Sequence, residues 1–304
     1  MKFQNFETRT FGKWILAGEH TVLRGGKALV FPLRSRFLDF QFSPRTGPRA
    51  SQNLEIEIPK GYPEEFKLLF WSVFEKACQM KGLGSSQFSG LVQMRANIPV
   101  GSGLGASAAL CVALARWFES LNIINHAEAF DFAKNLEDVF HGESSGVDVA
   151  VVLSEQGLLF QRQGPREIFQ AKWQPEWYLS HSGQKGITKE CVQKVQAMGL
   201  ADPARLQTLD SKMKLSVEKC GNALMSKAQN KMELIEALDL ANDVFHEWGL
   251  VNSTLDHHLN LLKKSGSLAM KPTGSGLGGF VLSLWEKPPV IEGVEFLKAT
   301  VVEA

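Results

Sequence analysis

The spacing of hydrophobic positions changes several times along the chain, and each change marks an element. Trp14-Ile15-Leu16-Ala17 is a continuous apolar run that predicts a buried strand. Glu19-His20-Thr21-Val22 then reads as a polar tip. The Gly25-Gly26 turn after it leads into a second strand, Ala28-Leu29-Val30-Phe31-Pro32. Leu54-Glu55-Ile56-Glu57-Ile58 alternates at period two, the mark of a half-buried strand. Helical spacing covers Phe66 to Met80, Leu110 to Leu121 and Ala127 to Phe140, with a strand predicted over Leu91 to Ile98. Val147 to Leu153 is apolar and rich in β-branched residues, so it reads as a strand carrying Asp148 near its start. Strands follow at 157–161 and 177–180, in a zone punctuated by Pro165 and Pro175 that marks a domain boundary. Beyond it the pattern is mainly helical, over 188–197, 203–227, 232–248 and 253–264. Strands at 268–271, 280–285 and 294–302 complete this half, which suggests a sheet with helices on one face.

Composition adds limits. With 304 residues, 44% hydrophobic and 21% charged, the chain is long enough for two domains with sizeable cores. A net charge of +1 gives no reason to expect nucleic acid or a membrane surface as partner. Cys78, Cys111, Cys191 and Cys220 are far apart and form no CxxC pair, which favours a reduced, cytoplasmic chain and argues against zinc. The first residues, Met1-Lys2-Phe3-Gln4-Asn5-Phe6-Glu7, show no signal-peptide pattern. No apolar run approaches the roughly 18 residues of a membrane span.

Two stretches carry candidate chemistry. Gly-Ser-Gly-Leu-Gly occurs at 101–105, between a strand and a helix, and again at 274–278, between two strands. Glycines at such spacing let the backbone approach an anion, and a helix start aims N–H groups at it. The first copy therefore suits phosphate, the alternative being a plain connecting turn. It is not a Walker A loop, because no Gly-Lys-Ser/Thr follows. Its glycines also miss the GxGxxG spacing of a dinucleotide site.

The stretch Pro99-Val100-Gly101-Ser102-Gly103-Leu104-Gly105-Ala106-Ser107-Ala108 resembles the phosphate loop of the GHMP kinases, Pro-x-x-x-Gly-Leu-Gly-Ser-Ser-Ala. Gly12-Lys13-Trp14-Ile15-Leu16-Ala17-Gly18-Glu19-His20-Thr21-Val22 is similar to the N-terminal motif of that family. Lys271-Pro272-Thr273-Gly274-Ser275-Gly276-Leu277-Gly278-Gly279 is similar to its C-terminal motif. Three motifs in the right order span nearly the whole chain. Within the family the mevalonate kinases fit best, through Gly18-Glu19-His20-Thr21-Val22 followed by Gly25-Gly26-Lys27-Ala28-Leu29. Glu137 with His141-Gly142-Glu143-Ser144-Ser145-Gly146-Val147-Asp148 supports the same choice, as does Ser182 to Glu190. Val22-Leu23 stands where galactokinases place Asp and an aromatic residue.

The resemblance implies an α+β, two-domain GHMP kinase-like fold. Residues 1–165 would form an N-terminal α/β domain of the ribosomal protein S5 domain 2-like type. Residues 166–304 would form a ferredoxin-like α+β domain, with the active site in the cleft between the two. It implies ATP- and Mg²⁺-dependent phosphorylation of a primary alcohol, first of all mevalonate to 5-phosphomevalonate in isoprenoid precursor synthesis. Phosphomevalonate or a sugar is the alternative acceptor, and a non-catalytic ligand-binding relative is the alternative class. The partners implied are ATP and the small-molecule acceptor, with a homodimer left open.

Residue by residue, Gly101, Ser102, Gly103, Leu104, Gly105, Ala106 and Ser107 would wrap the ATP phosphates, and Ser107 and Glu137 would hold Mg²⁺. Asp148 would take the proton of the attacking hydroxyl and Lys13 would stabilise the alkoxide and the moving phosphate. Glu19, His20, Thr188, Gly274 and Ser275 would contact the acceptor, and His141 would shape the turn before Asp148. Each has a plainer reading: a helix cap for Ser107, a solvated face for Glu137, an ion pair at a strand edge for Lys13 and Asp148, a surface position for His20. Arg34 or Arg36 could meet an anionic group, although exposed arginines are common. The pair His257-His258 reads as structural. Ala106, Leu277 and Glu143-Ser144 depart from the family pattern.

Overall fold

The computed structural model describes residues 3–45, 53–142 and 144–302. Long strands open the chain: β1 (Phe6–Ala17) and β2 (Lys27–Pro44) pair with each other around a short 3₁₀ turn, Thr21–Arg24. Both extend well beyond the apolar runs seen in the sequence, because their outer halves alternate buried and exposed positions. On β2, Leu38, Phe40 and Phe42 are buried while Asp39, Gln41 and Ser43 are not. The next elements are β3 (Leu54–Glu57), α1 (Glu65–Met80), β4 (Gly90–Ala96), α2 (Ala106–Ser120), α3 (Ala129–His141) and α4 (Val147–Ser154). Then come β5 (Leu158–Gln161), β6 (Arg166–Ile168), β7 (Glu176–His181), α5 (Thr188–Ala201), α6 (Pro203–Met225), α7 (Lys231–Glu247), α8 (Ser253–Lys264), β8 (Ala269–Thr273), β9 (Phe280–Trp285) and β10 (Phe296–Lys298).

Contacts divide the chain into two units that interleave in sequence. The first takes Met1–Gly12, Arg34–Val100 and Gly105–Ser154, and the second takes Lys13–Leu33, Gly101–Leu104 and Glu155–Ala304. The interleaving follows from β1 and β2, each of which runs through both.

In the first unit, Leu38–Pro44 of β2 pairs antiparallel with β4, and β4 pairs parallel with β3. Helix α2 is apolar around its whole circumference, and 11 of its 15 residues are buried, as expected for a helix enclosed by its domain. Trp117 of α2 lies 5.5 Å from Phe40 and 4.7 Å from Phe42, ring to ring. Phe70 and Phe74 of α1, four residues apart on one helix face, stack at 5.1 Å in the same cluster.

The segment Val147–Ser154 is a helix, where its β-branched composition predicted a strand. The β-branched preference for strands is weak, and burial overrides it: Val147, Val149, Ala150, Val151 and Val152 are all buried.

In the second unit, Lys27–Val30 of β2 pairs with β5, and β5 with β6. A four-stranded antiparallel sheet follows in the order β10-β7-β9-β8. Every position of β8 and β9 is buried. Met270 packs in a cluster with Leu255, Leu259 and Leu262 of α8. The neighbouring Lys271 lies 5.4 Å from the Phe245 ring of α7. Successive strand residues face opposite ways, so β8 is covered on both faces and not on one. Among the described residues, no helix is long and apolar enough to cross a membrane.

Candidate active site

In the second unit, β1 is followed by Gly18, whose positive φ of 105° turns the chain inward; a Cβ there would sit 2.3 Å from the Lys27 carbonyl oxygen. The turn carries Glu19 and His20 into the interior, where they are only 2% and 6% exposed. The polar tip expected from the sequence is therefore a buried polar node, and the surface reading of His20 is excluded. His20 Nε2 lies 2.8 Å from the carbonyl oxygen of Ser275. A carbonyl only accepts, so Nε2 carries the proton and donates. Burial pushes the His20 pKa down to about 4, with the bond to Ser275 opposing it. The ring is thus neutral at pH 7, set edge-on to Trp248 and Phe245.

The Thr188 hydroxyl donates to the Ser275 hydroxyl at 3.3 Å. One Glu19 oxygen, Oε1, is paired with Lys271 Nζ at 2.5 Å, while Oε2 is buried with no hydrogen-bond partner among the described residues. Four of the expected acceptor residues, Glu19, His20, Thr188 and Ser275, therefore meet around one loop. Lys271 belongs to the same node, and no role is read for it from the sequence. The available signal was its type: a lysine within a run that is otherwise apolar or small, Leu268 to Thr273, must find a counter-charge when buried.

Residues 101–104 of the first Gly-Ser-Gly-Leu-Gly stretch lie against the second within this unit. A Cβ on Gly274 would lie 3.8 Å from the Gly103 Cα, and one on Gly279 would lie 3.1 Å from the Ser102 carbonyl oxygen. Lys13, 3% exposed on β1, donates its backbone N–H to the Leu104 carbonyl at 2.9 Å, which ties the strand to the first stretch. The Ser182–Thr188 segment packs on the second: Gly279 N–H donates to the Gln184 carbonyl at 2.7 Å, and a Cβ on Gly186 would fall 2.3 Å from the Gly276 oxygen. Gly186 is a further position whose importance is hidden in the sequence, because the constraint is set by a backbone 90 residues away.

In the first unit, Gly105 sits at the head of α2 with φ 83° and no side-chain cap. Ser107 is therefore inside the first turn and is not the cap. Ala106, the departure from the paired serines, is buried. Glu137 on α3 is 1% exposed, which excludes the solvated-face reading. The Ser144 hydroxyl donates to Glu137 Oε2, and the Ser144 N–H donates to Asp138 Oδ1 at 2.6 Å. Ser144, a departure from the family pattern in the sequence, is thus a direct partner of Glu137. Asp148 lies half-buried in the first turn of α4 and not on a strand. The side chain of His141 and the whole of Glu143 fall outside the described residues.

No group of three or more His, Cys, Asp or Glu among the described residues could hold a metal. Oxygens from Ser107 and Glu137 fit Mg²⁺, a hard cation that takes one or two protein ligands and completes its shell with phosphate and water. Of the other candidates, Arg34 stacks on the Phe11 ring at 5.1 Å, and His258 is buried with Nε2 2.8 Å from the Ser180 hydroxyl. A separate cleft of about 780 Å³ lies between β2, β5 and α6, and none of the expected site residues lines it.

Comparison with known proteins gives a consistent answer. Residues 68–156 match the family described as the GHMP kinases N terminal domain. A mevalonate kinase of Pyrococcus abyssi is 25% identical over 296 residues, covering 90% of this chain and 86% of its own. The crystal structure of L. major mevalonate kinase in complex with R-mevalonate matches with a TM-score of 0.73 at 21% identity, over 93% of this chain and 87% of that one. Streptococcus pneumoniae phosphomevalonate kinase in complex with phosphomevalonate and AMPPNP matches with a TM-score of 0.70 at 15% identity, over 93% and 92%. Both structures share the two-sheet α+β fold.

Proposed function

We propose that this chain, which matches the GHMP kinases N terminal domain over residues 68–156 and is similar to mevalonate kinases along most of its length, transfers the γ-phosphoryl group of ATP to the 5-hydroxyl of (R)-mevalonate. The reaction would place it in isoprenoid precursor synthesis. One observation carries the reading: three distant parts of the chain, carrying Glu19-His20, Thr188 and Ser275, meet at a polar node whose Glu19 and His20 are buried, beside two back-to-back glycine stretches. A buried node of this kind must be matched by a polar ligand or by its own groups.

Backbone N–H groups from Gly101 to Ser107 would hold the ATP phosphates at the start of α2. Mg²⁺, held by Ser107 and Glu137, would neutralise phosphate charge when bound. Asp148 would accept the proton as the hydroxyl oxygen attacks the γ-phosphorus and ADP leaves, and Lys13 would stabilise the charge that builds up.

ADP release measured with mevalonate, phosphomevalonate, galactose and homoserine tests the proposal. Mevalonate should give the highest kcat/KM. Preference for phosphomevalonate would transfer the assignment to that acceptor, and turnover with none would end the kinase reading. Asp148→Asn should abolish turnover while ATP binding persists, and retained turnover would remove Asp148 as the base. Glu137→Gln should raise the Mg²⁺ concentration needed for half-maximal rate, and an unchanged requirement would release Glu137 from the metal.

A further inference from the structure

The ion pair between Lys271 and Glu19 is buried on both sides, with the lysine 0% and the glutamate 2% exposed. Only one carboxylate oxygen is used. Oε1 takes the ammonium, while Oε2 is buried and accepts from none of the described residues. A buried pair kept only for structure stabilises best when every oxygen lone pair is satisfied. Here the lysine fixes the carboxylate by one oxygen and leaves the other as a strong acceptor with no donor. The Phe245 ring, 5.4 Å from Nζ, backs the ammonium and limits its movement. The adjacent His20 adds to the same bias. Its Nε2 proton is committed to the Ser275 carbonyl and the ring is neutral, so its other nitrogen is also an acceptor.

We infer that Lys271 is a positioning residue that presents Glu19 Oε2 to a non-reacting hydroxyl of the acceptor, and so selects for acceptors carrying that second hydroxyl. This deepens the alcohol-kinase reading and rests on it. The reacting hydroxyl gives its proton to Asp148, so the donor that meets Glu19 is a different hydroxyl. A carboxylate or phosphate group of the acceptor is disfavoured at Glu19 Oε2, because two hydrogen-bond acceptors cannot satisfy each other.

The experiment compares the wild type, Lys271→Met and the double variant Glu19→Gln/Lys271→Met. For each, KM and kcat are measured with mevalonate and with its analogue lacking the 3-hydroxyl, together with KM for ATP and the thermal unfolding midpoint. The wild type should prefer mevalonate over the deoxy analogue by roughly 10- to 100-fold in kcat/KM, the range for a hydrogen bond to a charged group. Both variants should lose that preference through a higher KM for mevalonate, with KM for ATP within about twofold of wild type. The single variant should unfold at lower temperature because it strands Glu19, and the double variant should recover because neither charge remains. Recovery of stability without recovery of discrimination is the signature of positioning. A double variant that still prefers mevalonate as strongly as wild type overturns the inference and leaves the kinase reading intact. A wild type that turns over no alcohol overturns the kinase reading, and the inference falls with it.

Discussion

The pentapeptide Gly-Ser-Gly-Leu-Gly is folded twice in this chain, and the copies serve different ends. At 101–105 it opens into helix α2, and at 274–278 it opens into strand β9. In the first copy, Gly103 has φ 83°, yet a Cβ there would meet nothing nearer than the Thr273 oxygen at 3.8 Å. Glycine is needed there for its conformation, with space left over it. In the second copy, Gly278 has φ 139°, and a Cβ would lie 2.6 Å from the Gln184 oxygen. Glycine is needed there because another backbone occupies the place of a side chain. The element that follows decides the difference: a helix start must leave its N–H groups accessible, whereas a strand entering a fully covered sheet is packed from the first residue.

Alanine at Gly278 is the hardest test of this contrast. It forces a contact no backbone can absorb and a φ that L-residues rarely adopt, so stability should fall by about 3–5 kcal/mol. Thermal unfolding measures it. A loss under about 1 kcal/mol would show that the Gln184 segment yields, and the second copy would then be no tighter than the first.

The second copy is also anchored by His20 at the Ser275 carbonyl, and the cost of charging that buried ring makes stability depend on pH. His20 titrates near 4 in the folded chain against an ordinary 6.5, so between these values the unfolded chain binds the extra proton. The contribution is therefore fully present above about pH 6.5, lost as pH falls toward 4, and worth about 3 kcal/mol. Urea midpoints at pH 7, 5.5 and 4 should fall more steeply for wild type than for His20→Asn. Parallel slopes would mean that the buried ring does not titrate in this range.

Gly103→Ala should behave otherwise. Space is available, so the change should destabilise by only about 1–2 kcal/mol, the ordinary penalty for a left-handed residue. Its main effect should be weaker ATP binding, read by titration of the variant with nucleotide. Stability loss matching Gly278→Ala, with ATP affinity unchanged, would show the two copies to be packed alike.

Much of this was legible in the sequence, and the exceptions have physical reasons. Helical periodicity placed α1, α2, α3 and the four C-terminal helices, because each buries one face or the whole helix. The run Val147 to Leu153 reads as a strand and folds as a helix, because a short apolar run has no period to separate a buried helix from a buried strand. The motifs named Glu19, His20, Thr188 and Ser275, and the structure gathered them. Their burial was not legible, since the inward turn at Gly18 depends on its fit to Lys27 on the next strand. Lys271 and Gly186 stayed hidden for the same reason: their partners, Glu19 and Gly276, are 252 and 90 residues away.

The smallest expected effect concerns Leu277, which stands where the family pattern has glycine. It adopts φ 55°, while Leu104, its counterpart in the first copy, does not take a positive φ. Leucine in the left-handed region costs about 1–2 kcal/mol. Its backbone is held on both sides: its N–H donates to the Leu250 carbonyl at 2.7 Å, and its carbonyl accepts from Asn252 Nδ2 at 3.1 Å. Those bonds belong to the main chain and survive any substitution that keeps the turn. Leu277→Gly relieves the strain, but the freer unfolded chain offsets roughly 0.5–1 kcal/mol of the gain, and some apolar burial is lost. The net change in stability should stay within about 1 kcal/mol, measured by the unfolding midpoint. A loss above about 2 kcal/mol would show that the leucine side chain itself anchors the second copy, which would give that copy a side-chain contribution to its packing beyond the close backbone approach at Gly278.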